Sequence, residues 1–192
     1  MLLPLLALSG LLLAPGVQPV VLKPCIVMEN EVPLAGRQSR LDSVAVMLNG
    51  KQVKVCYGRP SLRGRTMLGG AGVPFGKLWR TGANEPTMLH TDVPLTVAGV
   101  PVPPGSYSLY TVPGASEWEI IVNRSITQWG HESTYTPEVQ AREVGRGRVK
   151  PEVLTAPVET FTVSMDPPAG NKSSIVLEWQ KTRVTIPIES SR

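Results

Sequence analysis

VAVMLNGKQVKVCY, residues 44–57, alternates apolar and polar side chains on either side of the dipeptide Asn49-Gly50. Asn-Gly is the favoured filling of a two-residue hairpin loop, because both central positions need a positive φ. Such a loop places Val46 opposite Val53 and Val44 opposite Val55. The apolar positions of both strands then fall on one face, so the hydrophobic pattern and the turn chemistry specify the same register. Cys56 points to the other face.

Further period-two runs follow. Thr87–Thr91 and Leu95–Ala98 read as strands, as do Ser106–Val112 after the Pro104-Gly105 turn and Glu117–Asn123 after Pro113-Gly114. Ile121 sits among Trp118, Ile120 and Val122, which predicts a strand buried on both faces. Three more runs close the chain: Glu159–Met165, Ser174–Gln180 and Thr182–Ile188. Trp118, Ile120, Val122, Phe161, Val163, Leu177 and Trp179 are the predicted core. A short helix is expected at Thr136–Val144, with Thr136 as cap and Pro137 at the first helical position. Roughly nine or ten short strands predict an all-β protein, a single β-sandwich of jelly-roll-like form, because one open sheet of that size would leave an apolar face in water.

The 192 residues, 42% hydrophobic and 18% charged, suit one domain, placed at residues 41–188. Residues 17–40 are Pro-rich and aperiodic and read as a linker. Residues 1–16, MLLPLLALSGLLLAPG, carry an apolar run shorter than a membrane span and read as a signal peptide, with small residues suited to cleavage after Ser9 or Gly16. No Lys or Arg precedes Lys23, so the usual charged start is missing. Lipidation at Cys25 is disfavoured by Pro24. The expectation is a periplasmic or secreted protein with no stable membrane span once the leader is removed. Cys25 and Cys56, the two cysteines, either pair in an oxidising compartment or leave Cys56 as a small buried hydrophobe. Their spacing fits no zinc or iron–sulfur site, and neither a metal nor another cofactor is expected.

A net charge of +4 is weak for a nucleic-acid binder, and the basic run Arg142–Lys150 lacks interleaved aromatics, so it reads as a solvated turn and no nucleic acid is expected. The chemistry concentrates in the aperiodic stretch Gly58–Pro86. Arg59, Arg63, Arg65 and Arg80 offer guanidinium forks for carboxylate, phosphate or sulfate. Trp79 offers a stacking face, and Asn84 and Glu85 offer polar handles for hydroxyls. The competing reading puts Trp79 in the core, pairs Arg80 with Glu85 as a brace and leaves the other arginines in solvent. His90 and Asp92 share a strand face and could join Ser106 or Ser108 in a nucleophilic set, but no nucleophile elbow is present. His131 with Glu132 lacks a third ligand for a metal. Among Glu85, Glu117, Glu119 and Glu178, no spacing selects a catalytic carboxylate pair.

The segments YGRPSLRGR (57–65), PFGKLWRTGANE (74–85), PPGSYSLYTVPGASEWEIIVN (103–123), QWG (128–130) and LEWQKTRVTIPI (177–188) resemble, in order, a bacterial family described only as Domain of Unknown Function 2911. The resemblance implies an exported β-sandwich domain without an assigned activity, and it supplies no catalytic residues. The expected function is therefore a binding module for a small polar, anionic or carbohydrate-like ligand at the Arg/Trp/Asn/Glu loop. The alternatives are a hydrolase using the same loop and a purely structural envelope domain, and oligomeric state stays open.

Overall fold

The computed structural model describes residues 23–191, so the expected leader, 1–16, and the start of the expected linker lie outside the described residues. Ten strands build two antiparallel sheets. In chain order they are β1 (Arg40–Leu48), β2 (Lys51–Arg59), β3 (Thr87–Thr91), β4 (Leu95–Val97), β5 (Val100–Val102), β6 (Gly105–Val112), β7 (Trp118–Asn123), β8 (Glu143–Val149), β9 (Pro151–Met165) and β10 (Lys172–Ser190). The order is β1-β2-β3-β6-β7-β8 in the larger sheet and β5-β4-β10-β9 in the smaller, which makes the predicted sandwich. Val46 pairs with Val53 and Val44 with Val55, and Asn49 and Gly50 take φ values of 50° and 70°.

The inner faces of the two sheets meet over a cluster centred on Trp79, Trp118, Phe161 and Trp179. Trp79 stacks on Trp179 with ring centroids 5.7 Å apart, and Phe161 stands edge-on to Trp79 at 5.2 Å. All seven predicted core residues are buried here, and Ile121 is buried on the opposite face.

Four local readings change. Residues Glu143–Val149, expected within a solvated basic turn, form edge strand β8. Its alternation is Gly against Arg, not apolar against polar. Arg146 pairs with Glu119 (3.0 Å) and Arg148 with Glu117 (2.9 Å), while a Cβ at Gly147 would stand 2.3 Å from Ala98 O, so only glycine admits the close approach of the β4–β5 turn. β9 begins at Pro151, eight residues before its apolar alternation does, because its first half is largely exposed. The two last predicted strands are one strand, β10, irregular between Glu178 and Thr182, where Gln180 takes a φ of 53° and its Oε1 accepts from the Met67 and Leu68 N–H groups. Helix α1 (Pro137–Gln140) starts as predicted, with Val139 N donating to Thr136 Oγ1, and stops early because the chain turns into β8.

The outer face of the larger sheet is also buried. Cys56, Met88, His90, Ser108, Tyr110, Ile121 and Asn123 all lie within a tenth of full burial. Two irregular excursions cover them. The described part of the expected linker, residues 23–39, is one cover, fastened by a Cys25–Cys56 disulfide and by Lys54 Nζ donating to Lys23 O at 2.5 Å. The other is residues 124–142, where Gln128 Nε2 donates to Tyr110 OH (2.9 Å), Tyr135 stands edge-on to Tyr110 at 4.6 Å and Asn123 Nδ2 donates to Val139 O (2.7 Å).

Candidate functional site

Most polar groups of the loop Trp79–Glu85 are used within the fold; the exception is Arg80 Nε, which is buried without a hydrogen-bond partner. Trp79 is in the core, bridged to Thr111 by two backbone hydrogen bonds of 2.8 and 2.9 Å, and its indole N–H donates to Gly82 O. Thr81 and Asn84 hold φ values of 58° and 65°, left-handed conformations that are costly for a β-branched threonine, and Thr81 is steadied by hydrogen bonds to Trp79 O and Thr111 Oγ1. The loop runs between Gly58 and Gly130. A Cβ at Gly58 would come within 2.1 Å of Ala83 O, and one at Gly130 within 2.3 Å of Asn84 O, so both neighbours must lack a side chain for the loop to lie flat. Asn84 Nδ2 donates to Ser39 O, and Arg80 Nη1 donates to Asn84 O.

Glu85 is buried and pairs with Arg37, which corrects the expected Arg80–Glu85 brace. Arg37 Nη1 donates to Glu85 Oε2 at 2.8 Å and Nη2 to Oε1 at 2.9 Å, with Met28 N adding a third donor at 2.7 Å. The Arg37 side chain is 1% exposed, and its remaining donors reach Val32 O. Arg37 stands in the aperiodic segment read as linker, 48 residues from Glu85, and no local pattern marks it. Four of the seven residues expected at a ligand site, Trp79, Arg80, Asn84 and Glu85, therefore do not converge on an open hollow.

The other three gather at one mouth of the sandwich, where β1 starts, β2 ends and β9 passes. Arg59 Nη1 pairs with Asp42 Oδ2 at 3.1 Å, while its Nε and Nη2 reach Phe161 O and Thr162 Oγ1 on β9. Arg63, with a φ of 50°, grips Gln38 through its side-chain oxygen (2.6 Å), and Arg65 closes its own turn onto Ser61 O and Leu62 O. Beside Arg59 lies a groove of about 300 Å³ bordered by Gln38, Arg40, Arg59, Ser61 and Thr160, which Arg63 and Arg65 do not line. Ser61 and Thr160 share a hydroxyl–hydroxyl hydrogen bond of 2.8 Å. Arg40, which the sequence pattern did not single out, is the direct cross-strand partner of Arg59. Like charges directly opposite on neighbouring strands repel. Among the described residues Arg40 is exposed and has no carboxylate partner.

The histidines lead elsewhere. His90 Nδ1 shares a 2.8 Å hydrogen bond with Ser106 Oγ, yet Asp92 pairs with Lys23 instead of His90, and His90 Nε2 is buried without a partner. Burial, with Lys54 and Lys23 nearby, pushes the His90 pKa down despite Asp92. Ser108 Oγ donates to Ser125 O. Beneath the 124–142 cover, burial pushes the Tyr110 hydroxyl up to about 12, so the phenol stays protonated and accepts from Gln128. His131 is exposed and caps its own turn through Ser133. Glu117 and Glu119 are spent on arginines of β8, and Glu178 on Arg183. Among the described residues no group of three or more His, Cys, Asp or Glu side chains could hold a metal ion, and no helix is long and apolar enough to cross a membrane.

Residues 39–188 match the model of a protein family described as "Protein of unknown function (DUF2911)". The chain belongs to that family. The match covers the larger part of the chain and takes in Arg40, Arg59, Ser61, Arg63 and Thr160, while Cys25, Arg37 and Gln38 precede it. No match was found among curated proteins or among solved structures. The family description names no activity, so function rests on the chain's own groups.

Proposed function

We propose that this member of the family is a binding module for a small anionic ligand, held at the sandwich mouth by Arg40 and Arg59. The observation that carries the reading is their pairing directly across the β1–β2 hairpin, beside a groove whose other walls offer Ser61, Thr160 and Gln38. Arg59 is already paired with Asp42, so an oxyanion here takes its charge-assisted hydrogen bonds chiefly from Arg40, with the Arg59 guanidinium adding to the local positive field. Gln38 is pre-oriented for such a role: Arg63 occupies its carbonyl oxygen, which leaves its NH₂ group to serve a ligand. The Cys25–Cys56 disulfide supports work outside the cytoplasm, in keeping with a periplasmic or secreted protein.

A purely structural role accounts for Trp79, Asn84 and Glu85, and for Arg80 through its Nη1, though Arg80 Nε is buried without a partner. It gives no reason for Arg40, which stands opposite the Asp42-paired Arg59 without a carboxylate of its own among the described residues. No arrangement of base, nucleophile and orienting carboxylate in the described residues favours a hydrolase.

The test is calorimetric titration of the oxidised protein at low salt with phosphate, sulfate and small carboxylates, repeated on Arg40→Ala. The parent should bind at least one of these saturably. The variant should bind at least tenfold more weakly, while its stability without ligand stays the same or rises by about 0.2–1 kcal/mol as the repulsion disappears. Failure of the parent to bind any of them, or an unchanged affinity in the variant, would overturn the proposal.

A further inference from the structure

Resting on that reading, we infer that the ligand is a short peptide bound by its free C-terminal carboxylate, with an apolar last side chain. Arg40 borders two hollows at once. On one side is the polar groove of about 300 Å³; on the other is a hollow of about 560 Å³ bordered by Leu34, Gly36, Arg37, Arg40 and Leu41. Both are in the ~300–1,000 Å³ range of small-ligand sites.

The two sides differ in what they offer. The polar groove concentrates guanidinium and hydroxyl groups. In the larger hollow the only cation besides Arg40 is Arg37, which is buried and already neutralised by Glu85. What faces solvent there is Leu34, 41% exposed, with Leu41 half-buried beside it. Gly36, at a φ of 88°, has open space where a side chain would stand, so the backbone of the 23–39 cover is accessible there to a second backbone. A carboxylate next to an apolar side chain and peptide groups is the combination this sequence of surfaces matches. Neither hollow has an aromatic side chain in its border, so nothing there stacks on a sugar ring. The larger hollow mixes guanidinium and backbone with its two leucines, a poor bed for an acyl chain.

The probes are acetyl-Ala-Ala-Leu with a free carboxylate, the same peptide amidated, acetyl-Ala-Ala-Asp with a free carboxylate, octanoate and inorganic phosphate, each titrated into the oxidised full chain. The free-acid leucine peptide should bind at least tenfold tighter than its amide and than phosphate. Arg40→Ala should remove the acid-over-amide preference. Leu34→Asp, an exposed substitution that leaves the core untouched, should remove the leucine-over-aspartate preference, and circular dichroism checks that both variants are folded. Phosphate binding as tightly as the leucine peptide would overturn the peptide inference and leave the anion-binding reading standing. Octanoate binding more tightly would overturn it in favour of an acyl anion. No binding by any probe would overturn the peptide inference, and the anion-binding reading with it if sulfate and small carboxylates also fail to bind.

Discussion

Truncating Glu85 to Ala should cost about 3–5 kcal/mol of stability, the range for stranding one member of a buried ion pair. The structure puts this variant at the severe end of point substitutions. Glu85 takes two hydrogen bonds from Arg37 and one from Met28 N, and the Arg37 and Glu85 side chains are 1% and 5% exposed. With the carboxylate gone, the guanidinium keeps only Val32 O, and the Met28 N–H loses its acceptor. For a domain of ordinary stability, ~5–15 kcal/mol, that is roughly a fifth or more of the total. Arg37→Ala should cost a comparable amount by stranding the carboxylate. The double variant should be clearly less damaged than the sum of the singles, with a coupling on the order of 1–3 kcal/mol, because it strands neither charge. Urea unfolding of the oxidised protein at pH 7 reads all three, provided the slope is unchanged. A loss under about 1 kcal/mol in Glu85→Ala, or strict additivity in the double variant, would show that the pair does not fasten the 23–39 cover.

Reduction of Cys25–Cys56, which closes a separation of 31 residues, should lower stability by about 3–4 kcal/mol from chain entropy, seen as a drop in urea midpoint when a phosphine reductant is added; an unchanged midpoint would refute it. His90 titrates below its ordinary value when folded, so the unfolded chain takes up its proton first as the pH falls. Its contribution is therefore complete above about pH 6.5 and is lost progressively below it. Unfolding free energies at pH 7 and 5 should show that decline in the parent and a shallower one in His90→Asn, and equal slopes would count against the assignment.

The hairpin at residues 44–57 was legible because three signals coincide in it: turn dipeptide, alternation and face. The core was legible for the same reason wherever large apolar residues recur at period two, as at Phe161/Val163 and Leu177/Trp179. β8 was not, since its one buried position is Gly147 and its half-buried Gly145 adds no side chain either, so the inward positions leave little trace in a hydrophobic pattern. Residues 23–39 escaped because irregular backbone fastened by a disulfide and a buried ion pair has no period at all. In the candidate site, Arg59 and Arg63 could be picked out by arginine density. Arg40 could not, because its significance lies in the cross-strand register with Arg59 and not in its neighbours along the chain. Arg80 and Glu85 looked like partners through proximity in sequence, yet the carboxylate is claimed by a residue 48 positions away.

The Arg37–Glu85 pair also bears on where this domain can be cut. The family match starts at residue 39, two positions after the guanidinium that closes over Glu85 and well past Cys25. A fragment trimmed to that boundary would keep every strand and yet carry an orphaned internal carboxylate, a free thiol at Cys56 and a sheet face stripped of its 23–38 cover. Any clumping of such a fragment in a test tube would reflect the scissors and not the fold.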